Sequence, residues 1–225
     1  MQKPFFLLLF SCFAVTTFGQ DYTKASDNDP KAKAILDKMR KKYEAYKTLE
    51  AEFTLDIELP EQPKESQKGK LIQQGEKYRL NLGGRTLVSD GKSVWLYIQK
   101  SKEVQINDVE EDAEEGSISS PKDLLKAYAW KDYIYVLSNE FTENGKLVQV
   151  VEFKPISKSS DYSKIRLTVD KKTSDVVSIK SFTKDGSRHT LNLTKLTPNK
   201  PTPSMTFTFS KSECTECHFE DLRVN

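Results

Sequence analysis

The stretch from Leu87 to Tyr97 constrains the fold more than any other part of the chain. It contains Asp90-Gly91, a dipeptide typical of tight hairpin turns because it tolerates positive φ at both central positions. In the second arm of this predicted hairpin, Val94 and Leu96 point to one face and Trp95 points to the other. Both faces of the strand therefore carry apolar side chains. Such a strand needs cover on both sides, which predicts a second layer over an antiparallel sheet.

Other segments repeat the strand pattern. From Leu49 to Leu59, apolar residues alternate with acidic residues and threonine, which indicates a strand with one apolar and one wet face. Residues 77–82, 205–209 and 219–224 are among the further predicted strands. We expect about eleven strands and two or three helices in all, and the absence of a Pro/Gly/Ser linker predicts one domain.

A helix is predicted near the start of the globular part. Asp29 is a good N-cap, Pro30 is a good first helical residue, and no other helix breaker follows before about Lys47. Leu36 and Met39 lie on its apolar stripe. The helix either packs on the sheet as core or covers a cavity as a lid, and the spacing fits both.

A shorter helix is predicted after Ser120-Pro121, with Leu124, Leu125 and Tyr128 on it. It too could be a lid element or part of the core. Before it, six of the eight residues from Asp108 to Glu115 are acidic. A solvated loop explains this run, and a docking patch for a basic partner is the alternative.

The N-terminus has the layout of a secretory signal peptide. Lys3 precedes an apolar run over residues 5–15, and small residues precede Gln20, so residues 1–19 are the predicted signal peptide and 20–225 the mature domain. The apolar run is too short to span a bilayer. Acylation of Cys12 is an alternative. An extracytoplasmic location follows from this reading.

Charge and motifs exclude several classes of function. The chain has 35 basic and 33 acidic residues, and removal of Lys3 with the signal peptide leaves a net charge of +1, so nucleic-acid binding is not predicted. No catalytic serine motif, phosphate-binding loop or zinc-protease motif occurs. We expect neither enzymatic activity nor a cofactor.

One motif near the C-terminus has several readings. Cys214 and Cys217 with His218 match the C-x-x-C-H pattern of covalent haem attachment. A short-range disulfide in an oxidising compartment is the simplest interpretation. Haem attachment, a thioredoxin-like redox role and a transient metal site are the alternatives.

The order Leu-Val-Ser-Asp-Gly-Lys-x-x-Trp-x-Tyr, from Leu87 to Tyr97, resembles the corresponding hairpin of the LolA family of periplasmic outer-membrane lipoprotein carriers. Leu36-Asp37-Lys38 and the C-terminal third, with Phe207-Thr208-Phe209, also resemble that family. The resemblance implies an incomplete, half-open antiparallel β-barrel with a helical lid over an apolar cavity. Well-known members carry a lid-fastening arginine at about Gln74 or Gly75, which is absent here; Arg79 lies nearby.

The resemblance implies a monomeric carrier that binds the acyl chains of lipoproteins, receives them from an inner-membrane ABC transporter complex and delivers them to the outer membrane, where an acceptor could take them. The expected cavity and lid residues are Leu36, Met39, Phe53, Leu55, Tyr78, Trp95, Leu124, Leu125 and Tyr128. Leu96 could line the cavity in place of Trp95. A lipid- or lipoprotein-sensing regulatory module on the same fold is an alternative function, and a c-type haem protein is a more remote one.

Overall fold

The protein contains one α-helix and one large β-sheet in the residues that the computed structural model describes, 28–109 and 133–223. The elements are α1 (Pro30–Glu44), β1 (Leu49–Glu58), β2 (Glu65–Gln74), β3 (Lys77–Leu82), β4 (Arg85–Ser89), β5 (Ser93–Ile98), β6 (Glu103–Asp108), β7 (Tyr133–Glu143), β8 (Lys146–Pro155), β9 (Tyr162–Asp170), β10 (Val176–Thr183), β11 (Arg188–Pro198) and β12 (His218–Asp221). Two 3₁₀ helices, Ser204–Phe207 and Lys211–Glu213, precede β12.

All twelve strands belong to a single sheet in the order β12-β6-β5-β4-β3-β2-β1-β11-β10-β9-β8-β7. Neighbours pair antiparallel, except that β12 runs parallel to β6. The sheet does not close, since β12 and β7 form its two edges. The architecture is the expected open half-barrel with a helix, built from twelve strands.

Helix α1 packs on one face of this sheet, which we call the helix face. Its side chains contact β7 to β10 in a cluster of buried residues, the α1 cluster: Ala32, Leu36, Met39, Tyr43, Tyr133, Tyr135, Val151, Phe153, Ile165, Leu167, Val169 and Val176. The predicted N-cap is present, because Asp29 Oδ1 accepts a hydrogen bond from Lys31 N at 2.8 Å. The helix ends at Glu44, three residues before the predicted end at Lys47.

The other sheet face, the opposite face, is covered at β3 to β6 by the chain that follows β11. This C-terminal segment, residues 199–217, contributes Phe209 to a cluster with Val88 and Val104. The predicted strand 205–209 is a 3₁₀ helix followed by extended chain. Pro203 stands at its N-cap, and Phe207 is buried. Burial of Phe207, not strand pairing, holds this stretch.

The hairpin from Leu87 to Tyr97 forms, but its turn differs from the prediction. Gly91 has a φ of 90°, whereas Asp90 does not have positive φ. The Asp90 carboxylate instead accepts hydrogen bonds from Lys92 N and Ser93 N, both at 2.8 Å. The side chain of Asp90 therefore closes a three-residue loop, and only the glycine needs the left-handed conformation.

Several predictions lie outside the described residues. These are the signal peptide over residues 1–19, the acidic run beyond Val109, and the short helix with Leu124, Leu125 and Tyr128.

Candidate functional site: an apolar surface on the helix face

A second apolar cluster lies on the helix face beside the α1 cluster, and we call it the β1–β4 cluster. Its buried centre is Ala51, Phe53, Leu71 and Tyr78, and half-buried leucines surround it: Leu55, Leu80, Leu82, Leu87, Leu191, Leu193 and Leu196. Leu193 and Leu196 also pack against the α1 cluster. The two clusters are therefore one continuous apolar surface across the helix face.

The two parts of this surface differ in burial. Leu36 and Met39 of α1 are 0% and 1% exposed, which is the burial of a packed core. In the β1–β4 cluster, Leu55, Leu80 and Leu87 keep part of their side chains exposed. An apolar ligand can therefore add contacts at the β1–β4 cluster without displacing α1.

The N-terminal end of α1 is tied to β7. Asp29 Oδ2 accepts a hydrogen bond from Leu137 N at 3.0 Å, and Asn28 Oδ1 accepts one from Tyr135 N at 2.9 Å. Burial raises the pKa of Asp29, but the backbone hydrogen bonds from Leu137 and Lys31 outweigh it and hold that pKa below its usual value. The charged carboxylate is thus the form that fastens the helix.

The C-terminal end of α1 is tied to β10. Tyr43 Oη accepts a hydrogen bond from Val176 N at 3.1 Å, and Lys42 Nζ donates to Thr173 O at 2.7 Å and to Asp175. Burial raises the pKa of Tyr43 to about 12, so its hydroxyl stays neutral well above pH 10. Hydrogen bonds thus tie both ends of α1 to the sheet.

Phe53 lies flat on the strand next to it. The position of a Cβ at Gly69 would be 2.3 Å from the Phe53 ring, so no larger residue fits at Gly69 while the ring keeps this position. The register aligns the two residues, one on β1 and one on β2. Gly69 therefore makes room for the aromatic ring at the centre of the β1–β4 cluster.

The structure brings most of the sequence-predicted candidates to the helix face. Leu36 and Met39 lie in the α1 cluster, and Phe53, Leu55 and Tyr78 lie in the β1–β4 cluster.

Trp95 is separated from the other candidates, because it points to the opposite face. The pairing of β4 with β5 aligns Val88 with Trp95 and Leu87 with Leu96. Leu87 belongs to the β1–β4 cluster, so Leu96 shares the helix face, whereas Trp95 packs with Val88 and Phe209 under the C-terminal segment. The alternation of β5 was predicted, but the sequence did not say which face looks towards α1.

Arg79 also points to the opposite face, where it holds the C-terminal segment. Its guanidinium pairs with Glu213 and donates to Thr206 O at 3.4 Å. It does not reach towards α1, so it is not a substitute for the family arginine that fastens the lid.

Cys214 and Cys217 form a disulfide with a Cα–Cα distance of 5.4 Å, within the C-terminal segment. The bridge packs against the cluster of Val88, Val104 and Phe209. Because each sulfur atom is bonded to the other, neither is free for a thioether bond to haem. His218, at the start of β12, is exposed.

An open cleft of about 650 Å³ lies near the Gly83-Gly84 turn. Most of its lining residues stand at the strand positions between those of the β1–β4 cluster, such as Phe53 and Leu80. Because successive side chains of a strand point to opposite faces, these lining residues belong to the opposite face. The polar side chains that line it are Glu52, Thr54, Lys68, Lys70, Asn81, Arg85, Thr86, Gln99 and Thr194, and Phe53, Leu82 and Tyr97 line it as well. Charged and amide groups dominate the named side chains of this cleft, whereas the β1–β4 cluster on the helix face is built from apolar side chains and is the candidate site for an apolar ligand.

Sequence reasoning missed several members of the β1–β4 cluster. Leu80 and Leu82 follow Tyr78 at every second position, so the alternation of β3 contains the signal that they share its face. Leu71 and Leu191 have no such local signal. Their membership depends on how β2 and β11 pair with β1.

Within residues 28–109 and 133–223, no group of histidine, cysteine or carboxylate side chains is arranged to hold a metal ion. In the same part of the chain, no helix is long and apolar enough to cross a membrane.

The family profile described as "Outer membrane lipoprotein carrier protein LolA" matches residues 44–210, well over half of the chain. The protein belongs to the LolA family. A search of curated proteins found no significant match. The family assignment thus agrees with the hairpin resemblance in the sequence.

Solved structures similar to this LolA-family chain have low sequence identity. An uncharacterized conserved protein from Thermus thermophilus has a TM-score of 0.55 and 13% identity, with 86% of this chain and 99% of that chain covered. A LolA superfamily protein from Nitrosomonas europaea has a TM-score of 0.40 and 12% identity, covering 79% and 97%. LprF from Mycobacterium bovis has a TM-score of 0.46 and 12% identity, covering 78% and 96%.

Proposed function

We propose that this protein binds the acyl chains of lipoproteins at the β1–β4 cluster and carries them through the periplasm from the inner to the outer membrane. It acts by binding alone, without catalysis. Its loading partner is an inner-membrane ABC transporter complex, and an outer-membrane acceptor takes the cargo.

The observation that carries this proposal is the unequal burial of the helix face in a LolA-family chain. Under α1 the apolar side chains are fully packed, whereas Leu55, Leu80 and Leu87 stay half-buried beside it. A group of half-buried apolar side chains that continues a packed core is typical of a binding surface for an apolar ligand.

The energetics suit a carrier. Burying one methylene group contributes about 0.8 kcal/mol, so an acyl chain of about 14 methylenes gains about 11 kcal/mol on leaving water. A bilayer offers the same chain a similar gain. Transfer between membrane and protein is therefore close to balanced, which allows both loading and release.

The test uses a synthetic triacylated peptide and the purified mature protein. We expect wild type to bind the peptide, and Leu80→Glu and Leu87→Glu to reduce binding at least tenfold, because each puts a charge on the apolar surface. Leu147→Glu is the matched control, since Leu147 is 42% exposed and belongs to neither cluster. Equal binding by all four proteins, with unfolding curves that show them folded, would contradict the proposal.

Carriage is tested separately from binding. Radiolabelled lipoprotein is released from inner-membrane vesicles that contain the ABC transporter, and its arrival in outer-membrane vesicles is followed with and without the protein. Protein-dependent arrival supports a carrier. Binding without transfer would assign the protein to the sensing module instead.

A further inference from the structure

One aromatic ring on the opposite face is surrounded by positive charges. Phe182 of β10 pairs across the sheet with Lys164 of β9 and Arg188 of β11. The charged groups of Lys164, Arg166, Lys180 and Arg188 lie 5.1, 5.2, 5.5 and 5.8 Å from the centre of the Phe182 ring. We call these five residues the cationic patch, together with the exposed Lys154 of β8, which shares the face of Glu152 because it lies two positions further along that strand.

The carboxylates near the patch do not balance its charge. Glu152 accepts from Arg166 at 2.8 Å and lies 3.3 Å from Lys164. Glu58 lies 3.4 Å from Lys180 and 3.9 Å from Arg188. Two carboxylates thus face five cationic side chains.

A third carboxylate nearby, Asp56, does not change this balance, since Lys64 pairs with it at 2.9 Å. The cations of the patch are accessible: the side chains of Lys164, Lys180 and Arg188 are 33%, 29% and 53% exposed. The patch is therefore a surface of net positive charge that an anionic partner can reach.

The arrangement favours a flat partner over a peptide. The side chains spread over β8 to β11 in two dimensions, and each of these strands is hydrogen-bonded to a neighbour on both sides. An extended peptide thus finds no free strand edge there to pair with. Lysine and arginine around an aromatic residue are typical of surfaces that meet anionic headgroups.

We propose that the cationic patch docks the protein on the anionic surface of a phospholipid bilayer. Docking holds the carrier at the membrane through phosphate charges, whether or not an acyl chain occupies the helix face. Membrane docking by the cationic patch does not depend on acyl binding by the β1–β4 cluster. An experiment can therefore contradict one of these two proposals and leave the other standing.

The test is co-sedimentation of the ligand-free mature protein with vesicles of phosphatidylcholine, with or without phosphatidylglycerol. We expect binding only to the anionic vesicles and its loss in high salt. In Lys180→Gln/Arg188→Gln the partition coefficient should fall about 25-fold, since each cation near an anionic surface contributes about fivefold. Phe182→Ala should weaken binding severalfold without any change of charge.

The matched control is Lys77→Gln/Lys92→Gln, which removes the same charge from two exposed positions outside the patch. It should bind almost as wild type does. Lys164→Gln/Arg166→Gln repeats the test on the Glu152 side of the ring, in case the first double variant unfolds.

Three results would overturn the proposal. The first is equal binding to neutral and anionic vesicles. The second is an equal loss in the patch and control variants, which would reduce the effect to net charge. The third is binding to soluble polyglutamate with no binding to anionic vesicles, which would assign the patch to an acidic polypeptide.

Discussion

The half of the sheet around β8 and the half around β4 are covered on different faces. Helix α1 covers the helix face at β7 to β10, where the opposite face is charged. The C-terminal segment covers the opposite face at β3 to β6, where the helix face carries half-buried leucines.

The two halves differ in how completely the apolar side chains of the helix face are packed in the part of the chain that the structure describes. The α1 cluster is fully packed, whereas the β1–β4 cluster is packed only in part. Around β8, one face is a packed core and the other is wet, as in most antiparallel sheets. Around β4, both faces are apolar, and the C-terminal segment packs on one of them. The remaining face is where we propose that an acyl chain binds, so we call the second half the functional half.

The largest expected effect compares a leucine from each half. Leu36→Ala should lower the free energy of unfolding by about 2–5 kcal/mol, because it opens a cavity in a packed core. Leu80→Ala should lower it by only about 1 kcal/mol, because the side chain is already partly exposed to water in the folded protein. Urea unfolding of both variants measures this, and equal losses would show that the two halves are equally packed.

The second prediction concerns the centre of the functional half. Gly69→Ala should destabilise the protein by about 1–3 kcal/mol, since the new methyl group collides with the Phe53 ring. In a Phe53→Leu background the same change should be less destabilising. A double-mutant cycle with no coupling between the two positions would mean that the ring does not lie on Gly69 in solution.

The third prediction tests how the packed half holds α1. Asp29→Ala should remove about 1 kcal/mol of stability, because it loses the N-cap and the hydrogen bond to Leu137. The pKa of Asp29 is lower in the folded than in the unfolded protein, so its contribution is present above about pH 4 and fades as the pH falls further. Asp29→Asn keeps the cap without the charge, and its stability should depend less on pH below 4.

The fourth prediction concerns the place where the halves meet, and the expected effect is at most that of Asp29→Ala. Glu50 of β1 accepts hydrogen bonds from Lys200 and Lys70, both at 2.7 Å, and these lower its pKa from 4.5 to about 2. Its contribution is complete above pH 4.5 and is lost as the pH falls towards 2. Glu50→Gln should therefore lose about 1 kcal/mol at neutral pH and clearly less at pH 2, where about half of the Glu50 carboxylates are protonated.

Glu52→Gln is the control for this experiment, because the ammonium nearest to Glu52, that of Lys195, is 4.0 Å away. Unfolding by urea at several pH values compares the two variants. A loss of stability that is the same at pH 7 and pH 2 would show that the ion pairs of Glu50 do not cause it.

Local signals in the sequence predicted much of the fold. The strand from Leu49, the N-cap at Asp29 and the central hairpin follow from alternation, capping chemistry and turn residues. The hairpin and the Leu36 segment also led to the family. The prediction of a strand over residues 205–209 was wrong, because burial of Phe207 overrides the strand propensity of these residues.

The candidate site was less predictable than the fold. Alternation shows which residues share a face within one strand, as with Phe53 and Leu55, but not which face of a neighbouring strand joins it. Trp95 and Leu71 therefore needed the register of the whole sheet. The cationic patch has the same origin, since Arg166 and Arg188 become neighbours only when β9, β10 and β11 align.

The pairing of β1 with β11 determines the order in which the chain can complete its fold. Leu49 lies opposite Pro198, so one of the first strands to be made waits for one of the last. Contacts this distant in sequence form slowly, and until β11 arrives the edge of β1 is open to other chains. A protein truncated before Arg188 should therefore aggregate rather than fold in part.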